Sequence, residues 1–139
     1  MAASTLLQPL FVVALLNLVM WLWMYMTRIP AMSKAGIDAQ SATRDSMQSL
    51  PSEVVRVADN YNHLFEQPTL FYAVVLSIAL LGHVDSLHVG CAWAFAGLRI
   101  AHSLVQATVN IILLRFSLFT LSWLALALMI VRESIQLFG

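Results

Sequence analysis

Charge is what this 139-residue chain has least of. Asp, Glu, Lys and Arg together make up ten per cent of it, where soluble domains average about 25%. Seven basic side chains balance seven acidic ones. There is no basic surplus to bind nucleic acid and no acidic tail. The single cysteine, Cys91, excludes an intrachain disulfide. It lies in apolar sequence and reads as a small buried hydrophobe rather than a nucleophile. A phosphate loop, a Gly-x-Ser-x-Gly elbow and a His-Glu-x-x-His site are all missing, as are internal repeats and low-complexity tracts. His83 and His88 lie close in sequence, but no Cys or third His accompanies them, so no metal site is expected.

What is there is apolar. Hydrophobic residues make up 60% of the chain, and they fall in runs near the 20 or so residues a spanning helix needs. A first helix is predicted over 5–27, capped by Thr5 and stopped by Pro30. Its run is too long for a signal-peptide core, no Lys or Arg precedes it, and no small-x-small cleavage pattern closes it. Trp21, Trp23 and Tyr25 near its end suit a membrane interface. A polar connection over 28–51 is long for a structureless loop, so part of it is expected as a short surface helix or a cover. A second helix is predicted over 52–81, with Ser52 as N-cap, a kink at Pro68 and a stop at Gly82. After a tight turn, a third is predicted over 86–110, capped by Asp85 or Ser86. A fourth, over 113–137, is apolar around its circumference and expected to face lipid. The expected fold is all-α, a single membrane-spanning four-helix bundle over 1–139.

Basic residues orient such a bundle. Arg28, Lys34, Arg44 and Arg56 flank the first connection and Arg115 the third, against Arg132 on the other side. Connections one and three are therefore expected to be cytoplasmic, with both termini non-cytoplasmic.

Several ionisable residues lie where a membrane should exclude them, at a cost of roughly 2.5–3.5 kcal/mol each. Asp59, His63 and Glu66 are spaced four and three apart and share one side of the second helix, with Arg56 and Asn60 extending the stripe. Arg99, His102 and Gln106 share one side of the third. If the hairpin turns about 84–85, Glu66 lies level with Ser103, His63 with Gln106 and Asp59 with Asn110. Two stripes then meet at one depth. A Glu66–Arg99 ion pair that only fixes helix register would explain part of this. The whole set points to a water-accessible polar cavity.

Arg56, Asn60, Asn62, His63, Glu66 and Pro68 stand in an order that resembles the second-helix signature of the MAPEG family, the membrane-associated proteins in eicosanoid and glutathione metabolism. The run Gly97-Leu98-Arg99-Ile100-Ala101-His102, with Arg115 downstream, resembles the family's third-helix motif and the basic residue that follows it. The resemblance implies a homotrimer with active sites between subunits and glutathione as co-substrate. A bacterial-type member of this kind is expected in the inner membrane. Arg115 is implied as the catalytic residue, its charge favouring the thiolate. Arg56, Asp59, Asn60, Asn62, His63, Glu66, Arg99, His102 and Gln106 are implied as glutathione-binding. The implied reaction is attack on a lipophilic electrophile or hydroperoxide, as in detoxification. Gln106 stands where several active members carry Tyr, which keeps a non-catalytic lipid- or glutathione-binding role open. A small transporter or channel subunit is a third reading, disfavoured because the polar stripes occupy one half of the depth.

Overall fold

The computed structural model describes residues 1–139 and is all-helical, with 84% of residues in helices and no strand. Its helices are α1 (Ala3–Ala35), α2 (Arg44–Gln48), α3 (Ser52–His63), α4 (Gln67–Leu81), α5 (Ser86–Ala107) and α6 (Ile112–Phe138). Three stretches are long and apolar enough to cross a membrane: Ala3–Ala35, Ser52–Leu81 and Ile112–Phe138. At 22 residues α5 would reach about 33 Å, but it carries most of the buried polar side chains. It packs against α1, α3 and α6.

α1 outruns its expected stop. Pro30 removes one N–H but does not end the helix, which continues until Gly36 adopts φ +69°. The Gly36 N–H then turns back to the Met32 and Ser33 carbonyls. A glycine free to enter the left-handed region ends a helix more decisively than a proline inside it. At the other end Ala2, not Thr5, is the N-cap, with no side-chain cap.

The polar connection that remains is ordered. Asp38 accepts a hydrogen bond from the Gln40 N–H and opens a 3-10 turn over Ala39–Ser41. Thr43 and Ser46 then cap each other reciprocally and start α2.

The second predicted helix is two helices. Pro68 sits in the first turn of α4, where a missing N–H is harmless, and it breaks rather than kinks the chain at 64–66. Ser52 lies inside α3. Pro51 holds the cap position without a side-chain bond. Gly82, at φ +74°, ends α4 as expected. The Asp85 carboxylate accepts from the His88 N–H at 2.9 Å and caps α5. α5 stops at Ala107, and Asn110 takes a left-handed turn at φ +50° before α6.

Between lipid-immersed helices, close packing and polar ties replace the hydrophobic driving force. The larger core joins Leu6 and Val13 of α1, Phe71, Val75 and Ile78 of α4, Ala92, Phe95 and Ala96 of α5, and Leu126 and Met129 of α6. Ala92 and Ala96 let α5 approach its neighbours closely, and Phe71 stacks on Phe95 with centroids 4.1 Å apart. Cys91 belongs to this core. Asn17, in the apolar middle of α1, donates to the Tyr72 hydroxyl at 2.9 Å and ties α1 to α4. A smaller core of Met20, Met24, Val57, Ala58, Leu64 and Ala107 lies towards the polar end. Phe11, Leu15 and Met26 of α1 and Leu113, Phe116 and Leu124 of α6 are exposed, as surfaces that meet lipid are.

A polar cavity beside an apolar groove

Asp59, Asn62 and His63 project from one face of α3, and the break at 64–66 carries Glu66 outward beside them. They form one wall of a cavity of about 370 Å³. Gln106 from α5, Arg115 from α6 and Arg44 from α2 complete it, and no hydrophobic side chain lines it. The His63 Nδ1 and Glu66 Oε2 atoms are 2.9 Å apart. Arg115 donates through Nη1 to Asn110 Oδ1 at 2.9 Å, so the left-handed turn before α6 holds the guanidinium in place.

A second hollow, of about 200 Å³, adjoins the first. His63 and Arg115 line both, and His102, Ile112, Phe116 and Phe119 form the rest of its walls. His63 stacks on Phe119 with centroids 5.3 Å apart and also lies 5.3 Å from the His102 ring. Arg115 therefore stands between a charged compartment and one with an apolar wall. A polar nucleophile held in the first can meet an apolar partner in the second.

The residues expected at the site divide into two groups. Asp59, Asn62, His63, Glu66, Gln106 and Arg115 line the polar cavity and His102 the groove. His63 and Gln106, expected at one level, line the same cavity. Arg56, Asn60 and Arg99 line neither hollow. Arg99 is fully buried and donates to Gln67 Oε1 at 3.4 Å, while its Nε and Nη2 atoms lack partners. Gln67 Oε1 also accepts from the Ser122 hydroxyl at 3.1 Å. Asn60 is fully buried with neither amide atom bonded. The Glu66–Arg99 ion pair considered above is not formed: the helix break turns Glu66 towards His63, leaving its side chain 68% exposed.

Three contributors carried little sequence signal. Arg44 comes from the polar connection, where no periodicity assigns a face. The Thr43–Ser46 capping pattern was the available clue. Gln67 and Ser122 are single polar residues that meet across α4 and α6 to receive Arg99.

A second polar cluster sits at the opposite end. Glu133 of α6, 6% exposed, receives His83 Nδ1 at 2.5 Å and faces His88 Nε2 at 3.3 Å. Arg132 Nη2 pairs with Asp85 Oδ2 at 2.5 Å. The His88 N–H bond holds the Asp85 carboxyl below the usual carboxylate range, and the Arg132 charge adds to this.

A helical membrane protein with a charged cavity opening beside an apolar groove is the class these features define. The MAPEG family model matches the chain over residues 6–133, nearly its whole length. The chain belongs to the MAPEG family, whose members serve glutathione and eicosanoid metabolism in membranes. No curated protein and no solved structure matches it.

Proposed function

We propose that this protein is a membrane-bound glutathione transferase-like enzyme, with Arg115 activating the thiol. The observation that carries the reading is Arg115's position: it lines both the all-polar cavity and the groove walled by Phe116 and Phe119. Glutathione carries two carboxylates, an ammonium and a thiol. Asp59 and Glu66 take the ammonium, and Asn62, His63 and Gln106 bond the peptide groups. His102 borders the acceptor. Arg56, Asn60 and Arg99 line neither hollow and take no direct part in the chemistry.

A free thiol has a pKa near 8.5 and is mostly protonated at neutral pH. A fixed guanidinium beside the sulfur lowers that value, commonly by about 1–3 units. The thiolate attacks an electrophilic carbon in the groove. A sulfur–carbon bond forms and the leaving group departs. With a lipid hydroperoxide, two thiols are oxidised to the disulfide as the peroxide is reduced to alcohol and water. The acceptor enters from the bilayer.

The active form is a homotrimer, and α5 crosses the membrane as the fourth span. The α1–α3 connection and the cavity lie on the cytoplasmic side, both termini lie opposite, and a bacterial inner membrane is the setting. The test is conjugation of a chloronitrobenzene by purified protein in detergent or nanodiscs. Arg115→Ala is expected to lose about 10-fold or more of the glutathione-dependent rate, the share set by thiolate population. Full turnover by the variant would remove the mechanism.

One observation favours a second reading. Gln106 lines the cavity where several active family members carry Tyr, and a carboxamide cannot offer a phenolic hydroxyl to the sulfur. A non-catalytic binding protein would show glutathione or lipid binding by calorimetry and no turnover in the parallel assay.

A further inference from the structure

We propose that Asn110 is a positioning residue for Arg115: it aims the guanidinium at the bound sulfur and, being neutral, leaves the guanidinium charge free to favour the thiolate. This rests on the functional reading above and deepens it.

The backbone sets the position. α5 ends at Ala107, and the Asn110 N–H turns back to the Val105 carbonyl at 2.6 Å. Asn110 takes φ +50° and is the only residue other than glycine with a positive φ. Most L side chains are strained there, and Asn is among the few that tolerate it. α6 then starts at Ile112 without a side-chain cap, and the Arg115 N–H bonds the Ile111 carbonyl at 2.9 Å. The turn therefore delivers the Asn110 side chain and the first turn of α6 together.

Glycine meets a positive φ at the least steric cost, so conformation alone requires no side chain at this turn. The one present has a partner: Asn110 Oδ1 accepts from Arg115 Nη1 at 2.9 Å. Arg115 makes no ion pair, although Asp59 and Glu66 line the same cavity. A carboxylate in place of the amide would also hold the guanidinium, and more strongly. It would offset the positive charge that a thiolate needs, and it would repel the thiolate itself. The position thus requires three properties at once: tolerance of the left-handed backbone, an acceptor oxygen and no charge. Glycine lacks the acceptor and aspartate the neutrality, whereas asparagine has all three.

The test follows kcat/KM against pH, and ultraviolet titration of bound glutathione, on full-length protein in detergent. Asn110→Gly keeps the turn and removes the acceptor. It should lose about 10-fold of kcat/KM at pH 7, as loss of one hydrogen bond to a charged group implies, and form thiolate at higher pH than wild type. Its thermal midpoint should match wild type. Asn110→Asp keeps the turn and the acceptor and adds a charge. It should form thiolate at higher pH still, and recover its rate in alkaline solution above the free-thiol value near 8.5. A wild type that neither binds nor uses glutathione overturns both the functional reading and this assignment. A wild type that uses glutathione, with both variants giving wild-type titration curves and pH profiles, overturns the assignment of Asn110 alone, whatever their thermal midpoints.

Discussion

At the α4–α5 turn the polar side chains face one another: Glu133 sits between His83 and His88, and Arg132 holds Asp85. At the far end His63 and Glu66 pair, but Arg44 and Asp59 line the open cavity without an ion pair, and Arg115 has a neutral amide as its partner. The same bundle thus carries two polar clusters with opposite habits. A cluster that fastens helices spends its hydrogen-bonding capacity internally, because a buried charge with no partner costs several kcal/mol. One that binds a ligand keeps some capacity for it. The turn cluster is a clasp between α5 and α6, and the cavity cluster is the receptor in the function proposed above.

Substitutions should separate the two ends by which property they move. Glu133→Ala is expected to have the largest effect on stability, about 1–3 kcal/mol, since it removes the acceptor that His83 bonds and His88 faces. Detergent-induced unfolding measures it, and the surviving folded protein should keep its affinity for glutathione. A loss of affinity at constant stability would merge the two clusters and break the contrast.

Asp85→Ala should cost about 1 kcal/mol at neutral pH through loss of the α5 cap. The sign of its pH dependence follows from a carboxyl held low in the folded state. Its contribution is complete above the unfolded value near 3.9 and is lost as pH falls through the lower folded value. Thermal midpoints of wild type and variant should therefore differ at pH 7 and converge in acid below about pH 4. A gap that widened in acid would contradict the capping account.

Asp59→Asn should have the smallest structural effect, within about 0.5 kcal/mol, because the side chain is exposed. Its weakened glutathione affinity should be visible in calorimetry. A stability loss like that of Glu133→Ala would show that the cavity end is also a clasp.

Much of this arrangement was legible in the residues themselves. Long apolar runs marked the helices, and the three- and four-residue spacings of Asp59, His63 and Glu66 and of Arg99, His102 and Gln106 marked the faces that meet. What escaped depended on backbone breaks and distant partners. Pro68 signalled a disturbance, but not that Glu66 would turn away from Arg99 towards His63. Spacing placed Arg99 with His102 on one face, but could not show that Gln67 and Ser122 would enclose it. Glu133 lies at the end of an apolar helix, and its role comes from His83 and His88, some fifty residues away in the chain. Arg44 lies in a connection whose short helix is fixed by side-chain caps rather than by a hydrophobic stripe.

In the proposed mechanism the Arg115 charge stabilises a thiolate at the edge of the polar cavity. Ultraviolet titration of bound glutathione reads this directly, since thiolate and thiol absorb differently. Wild type is expected to form thiolate well below the free value near 8.5, and Arg115→Ala to return towards it. Identical titration curves for glutathione bound to the two proteins would contradict the account.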